Sequence, residues 1–342
     1  MEFLTCTELP PPTGKTVSIV GAGPAGLTAA GQLACLGHRV VVYDSNPEPG
    51  GMMIFAIPSS RFPKDRVRRG VARLKETGRV EFVLRTFVGR DVRFEELIEK
   101  SDAVLVASGS WRTKSPGIRG ETLPGVLGAL EWLSDYIRLE MGYEPIRYKR
   151  PLDELADPVV IIGAGFTALD AALLAGVELG MKTKIVYRRT KWEAPMGHRW
   201  ALELERRGVE FLELLAPSEV IAGPSGRVEA VRCNEVRLSP PNGKGRSAFF
   251  VDESRPVDIE ARTVLLATGV VATPPPGLEE AGVRIERDGR IATDHLYRTT
   301  RRGVFAAGDV RVGASNVGRA MREGREVAAH IHAFLIGRLE WY

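Results

Sequence analysis

The chain has 342 residues, of which 44% are hydrophobic, so it is long enough for two domains that each bury a core. It carries 47 basic and 43 acidic residues, and a net charge of +4 without interleaved aromatic residues argues against nucleic-acid binding. No apolar run is long enough to span a bilayer, and the chain start lacks the basic region and apolar core of a signal peptide. We therefore expect a cytoplasmic protein with no membrane or nucleic-acid partner.

The three cysteines, Cys6, Cys35 and Cys233, stand far apart in the sequence. There is no Cys-x-x-Cys pair and no spacing typical of metal ligands, which argues against a dithiol active site, a zinc site and a cysteine-bound iron–sulfur cluster. Cys35 falls inside a helical pattern, and we expect it to be a buried small apolar residue. No metal site is predicted.

The first motif begins with an apolar, β-branched run from Thr16 that predicts a buried strand, and this run turns through GAGPAG at residues 21–26 into a helical pattern. Gly21 permits the tight turn, and Gly23 lets a pyrophosphate approach the backbone. Gly26 lets the helix pack close to the strand, with its N-terminus facing the phosphates. The predicted contacts of the turn are Gly21, Gly23, Pro24, Ala25 and Gly26.

A second predicted strand, Arg39 to Tyr43, ends at Asp44. The carboxylate of Asp44 can hydrogen-bond the hydroxyl pair of a free ribose. A structural glycine turn without a ligand is the alternative, but strand, turn, helix, strand and acid occur in the order that a dinucleotide site requires. The sequence therefore predicts a site for an adenine dinucleotide with a free ribose.

A proline-rich loop follows from Ser45 to Asp65. Its prolines predict an irregular backbone, and its position after the ribose acid predicts that it lies over the bound nucleotide. The predicted contacts from this loop are Gly51, Met52 and Ile57. A helix is expected at 64–77 and a strand at 80–88.

Two further predicted strands, at 101–109 and 263–269, end in Ala-Ser-Gly and Ala-Thr-Gly. Small side chains allow close backbone approach, so we expect each strand end to pass beneath a bound cofactor. An ordinary strand-to-turn junction is the alternative for either one alone. The predicted contacts are Ala107, Ser108 and Gly109 in the first unit and Ala267, Thr268 and Gly269 in the second.

Residues 159–189 repeat the strand, glycine turn, helix and strand of the first motif, so the chain contains an internal duplication. The third glycine is replaced by Ala168, and the second strand ends in Arg188 and Arg189 rather than in an acid. A guanidinium can pair with a ribose 2′-phosphate, which a carboxylate would repel. The sequence predicts an NADP(H) site here, with NADH still open because arginines at strand ends are also common as surface charge. The predicted contacts are Gly163, Gly165, Phe166, Thr167, Ala168, Arg188 and Arg189.

The apolar residues between Pro124 and Gly142 have helical spacing and predict a core helix. The polar, proline-bounded segment from Pro145 to Pro158 is predicted to be the linker into the second unit. A polar hairpin is expected around 240–245.

The last motif, GVFAAGDV at residues 303–310, predicts a short strand that is followed by a helix from about Asn316. An acid at a strand end beside a helix N-terminus can bind polyol hydroxyls, while the helix end faces an electron-rich ring. A capping or turn aspartate is the alternative for this acid. The predicted contacts are Gly308, Asp309, Asn316 and Val317.

Together these motifs resemble the FAD- and NAD(P)-dependent pyridine nucleotide-disulfide oxidoreductases, and most closely the family of the small (β) subunit of NADPH-dependent glutamate synthase. The resemblance extends from about Thr16 to Leu335 and includes GAGPAGL, PEPGGMMIFAIPSSRFPKD, VASG, GAGFTALDAA, VYRRTKWEAP, RRGVEFLEL, VLLATG and GVFAAGDV. It implies an α/β fold with two Rossmann-like dinucleotide-binding domains of the glutathione reductase type, in which the NAD(P) domain is inserted in the FAD domain.

The resemblance also implies that the first unit binds FAD, that the second binds NADPH, and that Asp309 contacts the ribityl chain of FAD. The domains expected from it are an FAD-binding first part at 1–120, a helix and linker at 121–156, an NAD(P)H-binding domain at 157–272 and an FAD-binding second part at 273–342.

The sequence departs from the family pattern in three respects. Glutamate synthase members carry an N-terminal cysteine-rich iron–sulfur domain, and here about fifteen residues precede the first strand, so we expect that electron route to be missing. Phe166 stands where the family usually has Asn or Asp. The lack of a dithiol disfavours a thioredoxin-reductase role.

The expected function is that of an FAD-dependent oxidoreductase which takes hydride from NADPH or NADH and passes electrons to a partner protein or catalytic subunit. The flavin carries the chemistry, so no catalytic side chain is predicted. One alternative is a self-sufficient reductase of a small acceptor such as a quinone, a dye or oxygen. Another is a flavin-bearing assembly or redox-sensing subunit with little turnover. A homo-oligomer and a hetero-oligomer both remain open.

Overall fold

A computed structural model describes residues 1–239 and 247–341 of the chain. It divides into two compact units, of which the first joins Met1–Trp111 to Val271–Tyr342 and the second is Arg112–Val270. The polar hairpin expected around 240–245 lies outside the described residues. No helix in the described part of the chain is long and apolar enough to cross a membrane, and location in the cytoplasm stays a prediction.

The first part of unit 1 alternates strands with helices, as a parallel sheet requires. Its elements are β1 (Thr16–Val20), α1 (Pro24–Cys35), β2 (Arg39–Tyr43), α2 (Met52–Phe55), α3 (Lys64–Glu76), β3 (Val80–Val83), α4 (Phe94–Lys100) and β4 (Ala103–Val106). The short helix α2 corrects the expectation of a wholly irregular loop. Strand β3 is shorter than the predicted 80–88 because its partner β2 ends at Tyr43, which pairs with Val83.

Unit 2 contains more strands than the sequence indicates. Its elements are β5 (Arg112–Thr113), β6 (Val126–Gly128), α5 (Ala129–Glu140), β7 (Val159–Ile162), α6 (Phe166–Ala172) with a π-helical turn (Leu173–Glu178), β8 (Thr183–Tyr187), a 3-10 turn (Lys191–Glu193), α7 (His198–Arg206), β9 (Glu210–Glu213), β10 (Leu215–Ala222), β11 (Val228–Leu238), β12 (Phe249–Glu260), β13 (Thr263–Leu266) and β14 (Val270–Val271). The last elements of unit 1 are β15 (Val304–Ala306), α8 (Asp309–Val312) and α9 (Val317–Leu335).

The two units share one sheet plan. Unit 1 has a five-stranded sheet in the order β15-β4-β1-β2-β3, and unit 2 has one in the order β6-β13-β7-β8-β9. All strand pairs in both sheets are parallel. In unit 1 the strand before the glycine turn, β1, lies between β4 and β2. In unit 2 the corresponding strand, β7, lies between β13 and β8. This matches the internal duplication predicted from the sequence.

The central strand β7 is apolar throughout because both faces of its sheet are covered. Val159 and Ile161 pack into a core with the helices α5 and α6. Val160 and Ile162 pack on the opposite face, against Val231 and other residues of the antiparallel sheet β10-β11-β12.

Residues 121–156, which were expected to form a separate helix and linker, belong to unit 2. Strand β6 pairs in parallel with β13 and completes the sheet edge. The segment after α5 is also fixed, because the Asp135 carboxylate accepts hydrogen bonds from the backbone N–H groups of residues 146–148 at 2.6–2.8 Å. The indole N–H of Trp132 donates to the Pro151 carbonyl at 2.9 Å. The segment is therefore packed structure and not a free linker.

Cys35 is not the isolated apolar residue that its helical position predicted. It forms a disulfide with Cys6, which ties the N-terminal segment to the last residue of α1. The same segment is held by packing, since Phe3 is buried and a Cβ at Gly70 would lie 2.5 Å from the Met1 carbonyl oxygen. Cys35 lies about 16 Å along α1 from its first residue, at a rise of about 1.5 Å per residue. The disulfide is thus at the opposite end of α1 from the glycine turn.

We predict that a maleimide reagent labels one thiol in the denatured, unreduced protein and three after reduction, as counted by intact mass. The one label that is attached before reduction should map to Cys233, which is the free cysteine. In the native protein Cys233 should stay unlabelled near neutral pH, because burial raises the pKa of its thiol to about 12.

The matched control for this experiment is Cys6→Ser, which leaves the thiol of Cys35 without its partner and should add a second label in the unreduced, denatured protein. Three labels in the unreduced wild type would contradict the disulfide.

Candidate functional site

The glycine turn of unit 1 has the geometry that its spacing predicts. A Cβ at Gly21, whose φ is +108°, would lie 2.4 Å from the Ala107 carbonyl oxygen. A Cβ at Gly26 would lie 1.9 Å from the Gly21 carbonyl oxygen. Packing within the chain therefore excludes a side chain at both positions.

Gly23 differs, because a Cβ built on it would meet no atom within 4 Å. No contact within the described chain requires glycine there, whereas a pyrophosphate that approaches the backbone does. Gly23 is also the N-cap of α1, so no side chain caps the first N–H groups of this helix. Pro24 begins the helix, and Ala25 is buried behind it. The turn fits the phosphates of a dinucleotide.

Asp44 follows β2 and is held against the same turn. One carboxylate oxygen accepts a hydrogen bond from the Ala22 N–H at 2.6 Å, and the other accepts from the backbone and side-chain N–H groups of Asn46 at 2.8 and 2.9 Å. The residue is only 8% exposed. The Asp44 carboxylate therefore holds the glycine turn in place. The residue also lies at the position where an acid that binds the ribose hydroxyls is expected.

The proline-rich loop lies on the glycine turn. Gly50 donates its N–H to the Ala22 carbonyl at 2.8 Å. A Cβ at Gly51, whose φ is +55°, would lie 2.8 Å from the Gly23 Cα. The loop thus approaches the turn at the position where the phosphates are expected.

Within the loop, residues 53–55 are buried in the core, whereas Met52 and Ile57 are half-buried. These two predicted contacts are accessible to a ligand. Lys64, which the sequence analysis missed, holds the end of the loop. Its buried ammonium donates to the Met53 carbonyl at 3.0 Å and also to the Ile57 carbonyl.

The small residues at the end of β4 pass close to the glycine turn. Ala107 donates its N–H to the Val20 carbonyl at 2.8 Å and supplies the oxygen that crowds Gly21. The Ser108 hydroxyl donates to the Thr273 carbonyl at 2.9 Å, and Gly109 has a φ of +79°.

Asp309 follows β15 and Gly308, and it is the first residue of the short helix α8. The Ser315 hydroxyl donates to its carboxylate at 2.5 Å. Burial raises the pKa of the Asp309 carboxyl, and the Ser315 hydrogen bonds partly offset this rise. Asn316 caps α9, since its side-chain oxygen accepts from the Arg319 N–H at 2.9 Å. This amide oxygen is therefore already engaged, and Val317 begins the helix.

Glu323 and Arg311 form a support for Asp309 that the sequence analysis did not find. The Glu323 carboxylate, on a residue 5% exposed, accepts from the Gly308 N–H at 2.8 Å and from an Arg311 guanidinium nitrogen at 3.1 Å. Arg311 also donates to the Thr293 hydroxyl at 2.7 Å. Glu323 thus fixes the backbone just before Asp309.

Unit 2 repeats the turn geometry closely. A Cβ at Gly163, whose φ is +118°, would lie 2.3 Å from the Ala267 carbonyl oxygen, and one at Gly165 would meet no atom within 4 Å. The Met196 N–H donates to the Ala164 carbonyl at 3.1 Å, as the Gly50 N–H does in unit 1. Ala168, which replaces the third glycine, is buried.

The remaining predicted contacts of unit 2 have different surroundings. Phe166, the first residue of α6, is 44% exposed, and Thr167 beside it is half-buried. The Thr268 hydroxyl donates to the Lys114 carbonyl, and the Gly269 carbonyl accepts from the Lys114 N–H at 2.9 Å. Both Thr268 and Gly269 are thus engaged with the segment around β5.

Arg188 and Arg189 follow β8 directly, with Arg188 exposed and Arg189 half-buried. Across residues 1–239 and 247–341, neither guanidinium has a carboxylate within 4.0 Å. The nearby cation Lys191 differs, because its ammonium lies 2.6 Å from Glu205 and 3.8 Å from Glu213. The acids of this region therefore neutralise the lysine and leave the two arginines available for an anion.

The chain is similar in sequence to known proteins. A sequence profile of the pyridine nucleotide-disulphide oxidoreductase family matches residues 15–324. The glutamate synthase [NADPH] small chain of Halomonas elongata is 33% identical over 330 residues, which is 94% of this chain and 68% of that protein.

Two solved structures share the fold. FprA of Mycobacterium tuberculosis in complex with NADPH has a TM-score of 0.74 at 19% identity, over 96% of this chain and 87% of that one. Thioredoxin reductase of T. acidophilum has a TM-score of 0.62 at 18% identity, over 94% and 99%. The predicted α/β fold with two dinucleotide-binding domains of the glutathione reductase type is confirmed.

We predict that Asp309→Ala weakens flavin retention roughly tenfold or more, the usual effect of losing a hydrogen bond to a charged group. The flavin content of the purified variant, measured by visible absorbance against protein concentration, tests this. Asp288→Ala, which removes an exposed acid paired with Arg290 in the same unit, is the control and should keep its flavin. Full flavin occupancy in Asp309→Ala would contradict the expected contact between Asp309 and the ribityl chain of FAD.

Proposed function

The chain belongs to the pyridine nucleotide-disulphide oxidoreductase family, and from this premise we propose that it is an FAD-dependent NADPH oxidoreductase that passes electrons to a separate protein. As a family member it is an oxidoreductase that uses FAD and a pyridine nucleotide. We further propose which unit holds each cofactor, that NADPH is preferred, and that the acceptor is a protein.

Unit 1 is proposed to hold FAD. The open approach at Gly23 and the uncapped start of α1 suit its pyrophosphate, and Asp44 suits the adenosine ribose. Asp309, which Gly308 and Glu323 hold in position, suits the ribityl hydroxyls. When bound, FAD accepts hydride and releases electrons singly or in pairs. The described side chains bind and orient, and none is assigned a proton-transfer step.

Unit 2 is proposed to hold NADPH, and the observation that carries this assignment is the pair of unneutralised guanidinium groups at the end of β8. Each can present two parallel N–H donors to a phosphate, which makes arginine well suited to a ribose 2′-phosphate. Lys191 cannot replace them without breaking its ion pairs with Glu205 and Glu213. Gly165 lets the backbone approach the pyrophosphate, as Gly23 does in unit 1.

We predict that the double variant Arg188→Ala, Arg189→Ala raises the KM for NADPH roughly 30-fold or more and leaves that for NADH nearly unchanged, because each lost charge-assisted hydrogen bond weakens binding by about 1.5–3 kcal/mol. Steady-state reduction of an artificial dye tests this. Arg262→Ala, which removes an exposed arginine of the same unit, is the control for net charge. An equal loss for both coenzymes would refute the 2′-phosphate role.

The acceptor is proposed to be a protein, either a carrier or the catalytic subunit of a complex. The Halomonas relative is named as the small chain of glutamate synthase, so it is described as one chain of a larger enzyme. A thioredoxin-reductase role is not proposed, because the Cys6–Cys35 disulfide lies at the far end of α1 from the glycine turn.

We predict that NADPH bleaches the visible flavin absorbance of the isolated chain quickly without oxygen, whereas steady turnover with oxygen or a quinone is slow until the native partner is added. Affinity purification from the source cells, with iron, sulfide and flavin analysis of what co-purifies, identifies that partner. Fast quinone turnover by the chain alone would support a self-sufficient reductase instead. Failure of NADPH to bleach the flavin would support a sensing or assembly subunit.

A further inference from the structure

We propose that Phe249 is a positioning residue for the coenzyme's 2′-phosphate, because its ring holds the guanidinium groups of Arg188 and Arg189 in place before the coenzyme binds. This inference rests on the proposed function, since it requires that the two arginines bind that phosphate. It adds a residue of β12 to a site that the sequence locates only at the end of β8.

One aromatic ring contacts both cations. The Arg188 Cζ lies 4.6 Å from the centroid of the Phe249 ring, and the Arg189 Cζ lies 5.2 Å from it. Both distances fall within the range of about 6 Å in which a guanidinium is attracted to an aromatic face. Phe249 is the first residue of β12 and is half-buried.

The start of β12 is fixed to the segment that carries the arginines. Arg189 donates its Nε–H to the Ser247 carbonyl at 3.3 Å, and Ser247 is buried. The Ser247 N–H in turn donates to the Glu193 carboxylate at 3.0 Å, and the Tyr187 hydroxyl donates to the Glu193 carbonyl at 3.2 Å. The backbone two residues before Phe249 is therefore tied by hydrogen bonds to Arg189 and Glu193.

This arrangement prepares the arginines for an anion. A free arginine side chain has many rotamers, and it loses that freedom when it binds a phosphate. A guanidinium that already lies over a ring has given up part of this freedom in the unliganded protein, so binding costs less entropy. The aromatic ring accepts no conventional hydrogen bond from the guanidinium, so the N–H groups of Arg188 and the Nη groups of Arg189 stay available to a phosphate, whereas the Nε–H of Arg189 donates to the Ser247 carbonyl.

The ring also attracts both of the positive charges that contact it. The negative face of the aromatic quadrupole attracts each cation and offsets part of their mutual repulsion. A carboxylate would do the same more strongly, but it would compete with the phosphate for the same donors. An aromatic side chain therefore suits a site that must stay open to an anion.

The experiment measures binding of adenosine 2′,5′-bisphosphate and of adenosine 5′-monophosphate by calorimetry, which needs no flavin turnover. Phe249→Ala and Phe249→Leu should both weaken the bisphosphate roughly 3- to 10-fold and leave the monophosphate unchanged, which is the size expected from cation–π contacts. Leu keeps apolar bulk without a π face, whereas Phe249→Tyr keeps the face and should bind as the wild type does. The control Phe250→Ala removes the next side chain, which is 66% exposed, and should change neither ligand.

In turnover the same variants should raise the KM for NADPH by the same factor, with kcat and the KM for NADH unchanged. In the background of Arg188→Ala, Arg189→Ala, the further change Phe249→Ala should have no effect on the bisphosphate, because the ring acts through the arginines. An equal loss for both adenosine ligands, or full affinity in Phe249→Leu, would overturn the proposal.

The Phe249 and arginine variants separate the role of the ring from the assignment of the 2′-phosphate site. If the double arginine variant loses the preference for the bisphosphate and Phe249→Ala does not, the role of Phe249 is refuted and the NADPH assignment stands. If the double arginine variant keeps that preference, the assignment of the 2′-phosphate to β8 fails as well.

Discussion

Close backbone contact at two glycines determines where each unit can bind a dinucleotide. Gly21 lies against the Ala107 carbonyl and Gly163 lies against the Ala267 carbonyl, at distances that leave no space for a Cβ. Each contact joins the carboxyl ends of two neighbouring parallel strands, which is the edge where open α/β sheets bind ligands. Two residues further on are Gly23 and Gly165, and a Cβ built on either of them would meet no atom within 4 Å. A single packing requirement that occurs twice in the chain thus accounts for both of the proposed phosphate sites.

The two units carry side chains of opposite charge after the second strand of the repeat, which is β2 in unit 1 and β8 in unit 2. After Tyr43 the chain has Asp44, whose carboxylate is hydrogen-bonded to the turn itself. After Tyr187 it has Arg188, which is exposed and has no acidic partner within the described residues. A carboxylate beside a turn favours ribose hydroxyls and repels an added phosphate, whereas a free guanidinium attracts one. The proposed preference of unit 1 for FAD and of unit 2 for NADPH therefore depends on the side chains that follow the second strand and not on the turn geometry that the units share.

The sequence predicts those parts of the structure that depend on neighbouring residues. The glycine turns, the acid and the arginines lie within about 30 residues of their strand, so their spacing carries the geometry. The Cys6–Cys35 disulfide, Lys64 beneath the loop and Glu323 behind Gly308 were all missed. Each joins residues fewer than 30 positions apart, but none belongs to a motif with a fixed spacing, so no sequence pattern indicates it. Strand β6 was missed for another reason, since its three residues are too few to show a period and only pairing with β13 makes them a strand.

The antiparallel sheet β10-β11-β12 adds a residue to the coenzyme site proposed for unit 2. This sheet lies between β9 and β13 in the chain, and it covers the face of the parallel sheet that α5 and α6 leave open. Burial of that face requires only its apolar residues, such as Val231 and Ile259. The start of β12 contributes nothing to this core, yet it returns to the end of β8 and brings the Phe249 ring to both arginines. A sheet that stabilises the unit thus also supplies the aromatic ring beside the two arginines of the proposed 2′-phosphate site.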